Sequence, residues 1–146
     1  MTIFRPKFIT FDCYGTLTHF DMAGASRRIY SETLSPDVME AFIRSFAAYR
    51  MDEILGAWKP YADVVAGALE RTCKLHHVPF RTEDALQIYN EVPTWGPHPD
   101  VPAGLARVAK DIPLVILSNA MDNQIMSNVE KLGAPFHTVL TAEQTG

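Results

Sequence analysis

The stretch Lys7-Phe8-Ile9-Thr10-Phe11-Asp12-Cys13-Tyr14-Gly15-Thr16-Leu17-Thr18 constrains the fold more than any other part of the chain. An apolar, β-prone run, Phe8, Ile9 and Phe11, drives into an acid, and a Gly-Thr turn follows within three residues. That order predicts a buried strand ending at Asp12, with a loop at its carboxyl end. Ligands of open α/β sheets bind in the crevice beyond the strand ends, which puts Asp12 at the mouth of a site. Gly15 can take backbone angles that other residues avoid, letting the turn wrap closely around a small anion. Thr16 offers a hydroxyl that could hold the carboxylate in one rotamer. The bland alternative for so short a motif is an Asp that caps a turn.

After Leu17 the pattern turns helical. Ala23 to Thr33 is a first helix, and Ser35-Pro36-Asp37 is a start signal for a second, with Ser as N-cap and Pro at the first helical position. Val38, Phe42, Ile43, Phe46 and Tyr49 then recur at helical spacing towards Leu55. Gly56 and Pro60 bracket a break. Tyr61 to His77 continues with Val64, Val65, Ala68, Leu69 and Cys73 on one face, and Thr82-Glu83-Asp84 opens a short helix through Tyr89. Pro93, Gly96, Pro97, Pro99 and Pro102 cannot continue a helix and read as a hinge. A helix over Val101 to Lys110 leads to the apolar run Pro113-Leu114-Val115-Ile116-Leu117, which predicts a parallel strand buried on both faces. Asp122 to Leu132 is a helix ended by Gly133, and Thr138 to Thr141 is a third strand. Strand, helical insert, helix, strand, helix, strand is an α/β, Rossmann-like parallel sheet with right-handed crossovers. The expected division is a core of 1–18 and 97–146, with a helical cap and hinge over 19–96.

Bulk properties exclude some function classes. A formal net charge of -4 offers no basic face for nucleic acid. No apolar run approaches the ~20 residues that span a bilayer, so no membrane association is expected. The amino terminus lacks a signal-peptide pattern, and Cys13 and Cys73 form no disulfide framework, which together suggest a cytoplasmic location. Cys13 adjoins Asp12, but neighbours on a strand point to opposite faces and a free Cys is usually a buried small hydrophobe. His76-His77 invites a metal reading, yet adjacent helical residues diverge and no Cys/His partners follow, so no metal is assigned.

Taken whole, Asp12-Cys13-Tyr14-Gly15-Thr16-Leu17 resembles the nucleophile motif of the haloacid dehalogenase superfamily. In that family the first Asp attacks the substrate and forms a covalent intermediate. The phosphatase branch carries a second Asp two positions later as general acid/base. Here that position is Tyr14, and a phenol of pKa about 10 cannot do the same work near neutrality. The departure points to the carbon–halogen branch, the L-2-haloacid dehalogenases. The resemblance implies a Rossmann-like core with an inserted helical cap, no cofactor, a small 2-haloacid substrate, a halide product and, as is common in the family, a homodimer.

Site residues follow from the same resemblance. Ser118-Asn119 ends the second core strand as Asp12 ends the first. By itself that pair is equally a turn and N-cap, and Asp122 fits plain helix capping. The resemblance makes Ser118 a ligand of the substrate carboxylate, together with the backbone amides of Cys13 and Tyr14. Asn119, with an Arg of the cap, would receive the departing halide. The candidate is Arg50, in Tyr49-Arg50-Met51-Asp52-Glu53-Ile54; its competing role is an intrahelical pair with Glu53. Arg27, Arg28 and Arg44 read as solvated; Trp58 and Tyr61 could wall an apolar pocket, core packing being the plainer reading of either; His19 could reach the crevice mouth, a surface role being the plainer reading. The implied reaction is backside attack by an ionised, partly desolvated Asp12 on the carbon bearing the halogen, then hydrolysis of the ester. The family has a Lys after the third core strand, and this sequence reaches Gly146 where that Lys would come next. The expectation is therefore a portion of a larger enzyme, inactive alone, with a phosphatase of the same fold or a non-catalytic module as alternatives.

Overall fold

A computed structural model describes residues 5–145. Part of the amino-terminal reading, Met1 to Phe4, lies outside the described residues. The elements in order are β1 (Ile9–Phe11), α1 (Met22–Tyr30), α2 (Pro36–Leu55), α3 (Tyr61–Leu75), α4 (Thr82–Glu91), a 3-10 turn (Val92–Thr94), α5 (Val101–Val108), β2 (Leu114–Ser118), α6 (Asp122–Lys131), β3 (Phe136–Thr141) and α7 (Ala142–Thr145). They fall into two compact units, one formed by 1–20 with 93–146 and the other by 21–92.

The first unit is a parallel sheet in the order β1-β2-β3. Phe11 pairs with Ile116 and Ser118 with Thr141, so the three carboxyl ends share one edge of the sheet. Leu114 and Ile116 of β2 are buried against Leu105 of α5, Ile125 and Val129 of α6 and its C-cap Leu132, with Ile9, Phe11, Phe136 and Val139 partly buried beside them. Each fully buried aliphatic side chain contributes roughly 1.5–3 kcal/mol. Both helices thus cover the face that carries alternate residues of β1 and β2.

The opposite face differs from expectation. Val115 is buried, but Leu117 is 57% exposed and Leu140 of β3 is 40% exposed. A continuous apolar run shows that a strand can be buried on both faces, not that this chain supplies both covers.

The second unit is all helical. Ser35 occupies the N-cap of α2 but makes no side-chain capping bond there; Pro36, with its preset φ, starts the helix without it. Met39, Phe42 and Phe46 form its buried face, Met39 replacing the anticipated Val38, which is exposed. Phe42 packs against Tyr30 of α1 with ring centroids 4.8 Å apart. Val64, Val65, Ala68, Leu69 and Cys73 bury one face of α3, as the periodicity indicates. A polar knot lies inside this unit. The Tyr30 hydroxyl donates to Asp84 Oδ2 at 3.1 Å, and Arg81 donates to both Asp84 oxygens at 2.8 and 3.1 Å. Burial raises the Tyr30 phenol far above its usual range, and Cys73 and Asp84 add to the effect.

Candidate functional site

Asp12 follows the last residue of β1, and the loop behind it is tightly bonded. The Cys13 carbonyl accepts from Leu17 N at 2.8 Å and Thr18 N at 2.9 Å, and Gly15 N donates to Thr18 O at 2.7 Å. Gly15 closes this turn at φ +81. An added Cβ would meet only Phe20 Cβ at 3.9 Å, so what Gly15 supplies is conformation rather than space. Thr16 Oγ1 donates to Asp12 Oδ2 at 3.1 Å, which restrains the carboxylate as its position in the turn suggested. Asp12 itself is exposed rather than partly desolvated.

Cys13 is fully buried, and burial, more than the neighbouring Asp12 charge, pushes its thiol up to about 11 against a weaker opposing bond to Thr18. It is a protonated core residue near neutrality, not a nucleophile. Its polar contribution comes from the backbone.

Tyr14 turns away from acid–base service. Its hydroxyl donates to Asn128 Oδ1 at 2.7 Å, while Asn128 Nδ2 donates to Trp95 O at 2.9 Å. Residues 17–19 and 96–98 run side by side, with His19 N donating to Gly96 O and His98 N to Leu17 O at 2.9 and 3.1 Å. Ser118 is buried at the end of β2, its Oγ accepting from Ala120 N at 3.3 Å, and Asn119 is exposed. The turn reading and the site reading of this pair are therefore compatible. Asp122 does not cap α6, whose N-cap is Met121. Its Oδ1 accepts from Thr141 Oγ1 at 2.7 Å and Gln144 Nε2 at 2.9 Å, tying the start of α6 to the end of β3.

Within the helical unit, Arg50 does not need Glu53. Its Nη1 donates to the Tyr61 hydroxyl at 3.4 Å and its guanidinium lies 4.9 Å from the centroid of the Phe46 ring. Glu53 instead accepts from Lys59 at 2.5 Å and Arg71 at 2.8 Å, and these bonds, Lys59 first, hold its carboxyl below the usual range. Trp58 is 51% exposed and is not a packing residue. His76 is bonded to Ser45 Oγ through Nε2 at 2.9 Å. Lys110 lies in the turn after α5 rather than on it.

The structure brings Asp12, Thr16, Ser118 and Asn119 to the carboxyl edge of one sheet, and Cys13 and Tyr14 to the loop leaving it. Arg50 belongs to the other unit.

Among solved structures, the L-2-haloacid dehalogenase from Xanthobacter autotrophicus matches with a TM-score of 0.73 at 23% identity, over 95% of this chain and 58% of that one. The fold is that of the L-2-haloacid dehalogenases. The Xanthobacter dehalogenase with chloropropionic acid covalently bound matches at TM-score 0.71 and 21% identity, again over 95% of this chain and 58% of that one. A defluorinating L-2-haloacid dehalogenase matches at TM-score 0.74 and 17% identity, over 94% and 61%. This chain thus spans about three fifths of the dehalogenases whose fold it shares. No family model matches the sequence. No curated protein matches it.

Sequence reasoning missed Asn128 and Trp95. The signal was present: Asn128 takes an apolar position in α6, three residues after Ile125 and four before Leu132.

Proposed function

We propose that this chain carries the nucleophile half of a hydrolytic dehalogenase acting on short L-2-haloalkanoic acids. The observation that carries the reading is the pairing of a Thr16-restrained Asp12 with a Tyr14 phenol already committed as donor to Asn128. A phosphatase of this fold needs an acid at the Tyr14 position; a carbon–halogen displacement needs none. Asp12 attacks the α-carbon from behind, the C–halogen bond breaks, and the halide leaves with the bonding pair. Water then attacks the ester carbonyl of Asp12 and the 2-hydroxy acid departs with inversion. Ser118 and the backbone amides of Cys13 and Tyr14 would hold the substrate carboxylate. Arg50 and Asn119 would take up charge on the departing halide.

The 146 residues by themselves are expected to show little or no turnover, because the Lys that the family resemblance implies after β3 is not among them. The test is bromide release from L-2-bromopropionate, native chain against Asp12→Asn, beside phosphoester hydrolysis with and without Mg²⁺. Halide release that depends on Asp12 supports the reading. Mg²⁺-dependent phosphoester hydrolysis replaces it with the phosphatase alternative.

A further inference from the structure

Asn128 is fully buried on the apolar face of α6, where an amide is costly unless both of its ends are bonded. Here both are. Oδ1 accepts from Tyr14 at 2.7 Å and Nδ2 donates to Trp95 O at 2.9 Å, so the two ends cannot be exchanged without losing both bonds. Lys131, one turn further along, donates to Pro93 O at 2.5 Å and Trp95 O at 3.3 Å. The Tyr14, Phe20 and Trp95 rings form a cluster, with Trp95 edge-on to Phe20 at 5.5 Å and to Tyr14 at 6.3 Å, and Tyr14 to Phe20 at 6.3 Å. One side chain of α6 therefore grips the loop after Asp12 and the returning segment at Trp95 together.

We propose that Asn128 is a positioning residue for the nucleophile loop, acting through the Tyr14 phenol. It deepens the dehalogenase reading and rests on it for the choice of ligand. The backbone amide of Tyr14 is one of the groups assigned to the substrate carboxylate, and the same residue's side chain is anchored by Asn128. Losing the anchor removes a restraint on the loop that carries that amide.

The test compares Tyr14→Phe, Asn128→Leu and the double variant in a Trp58→Phe background, which leaves Trp95 as the sole indole of the chain. Three quantities are read: the urea midpoint, acrylamide quenching of Trp95, and affinity for D-lactate, the unreactive inverted product, from Trp95 emission. Each single change removes one partner of a buried bond, and we expect a lower midpoint, greater quenching and about tenfold weaker D-lactate binding. The double variant leaves neither the phenol nor the amide oxygen unpaired, and the Trp95 carbonyl keeps Lys131, so its midpoint should recover in part. Positioning predicts that quenching and affinity nevertheless stay at the single-variant values. Recovery of both together with the midpoint shows a merely structural contact and overturns the proposal, as do single variants that leave Trp95 quenching unchanged. A native chain that binds no D-lactate counts against the dehalogenase reading, and the quenching comparison then decides on Asn128 by the same rule.

Discussion

Two glycines offer a direct test of the nucleophile turn, because the same chemical change should have opposite signs at the two positions. Gly15 sits at φ +81 with only Phe20 Cβ near an added methyl, at 3.9 Å. Gly104, inside α5, has nothing within 4 Å and no positive φ. Gly→Ala reduces the freedom of the unfolded chain at both sites, a gain of about 0.4–1 kcal/mol where the native backbone suits alanine. At Gly15 a left-handed backbone adds a strain of roughly 1–2 kcal/mol for an L-residue. Gly104→Ala is thus expected to raise the urea midpoint and Gly15→Ala to lower it, the two differing by ~1–2 kcal/mol, which is the strain alone. Gly15→Asn should recover part of the loss, since Asn tolerates this region better than Ala. Unfolding is followed by Trp95 emission with Trp58 replaced by Phe, at unchanged m-value. Equal effects at Gly15 and Gly104, or Asn no better than Ala at Gly15, would refute the turn geometry.

Other outcomes follow from the packing. Asp84→Ala removes the acceptor of the buried Tyr30 hydroxyl and should cost about 1–3 kcal/mol in thermal melts. Arg81→Ala should also lower the melting temperature, because it strips the cation from a carboxylate whose side chain is only 5% exposed. Lys59 and Arg71 lower the Glu53 carboxyl, so that stability is present above the ordinary Glu range near about 4.3 and is lost as pH falls through the depressed folded value. Acid titration by circular dichroism should therefore show a shallower loss below about pH 4 in Glu53→Gln than in the native chain. Ile116→Ala is expected to cost about 2–5 kcal/mol by denaturation, and Leu117→Ser, one position along on the exposed face, within roughly 0.5 kcal/mol.

Much of this was legible from residue order because the signals were local. A run of Phe8, Ile9 and Phe11 ending on Asp12 can be little else than a strand meeting a loop, and Val64 to Cys73 reads as one helical face. Pairwise partners were less accessible. Arg50 and Glu53 lie three residues apart on α2 and invite an intrahelical pair, yet Glu53 is taken by Lys59 and Arg71, which arrive from the following loop and from α3. Leu117 was expected to be buried because apolarity measures what a residue tolerates, while burial depends on which cover is supplied. Asn128 was passed over since its partners, Tyr14 and Trp95, are distant in sequence and meet only when the sheet brings α6 beside the first loop.

The central claim is that the Asp12 carboxylate attacks carbon. Its most direct measurement is peptide-mapped mass spectrometry of the chain after incubation with L-2-bromopropionate. The account predicts one carboxyethyl group, esterified to Asp12 and absent from Asp12→Asn. An unmodified chain, or a label found only on a cysteine or another carboxylate, would contradict it.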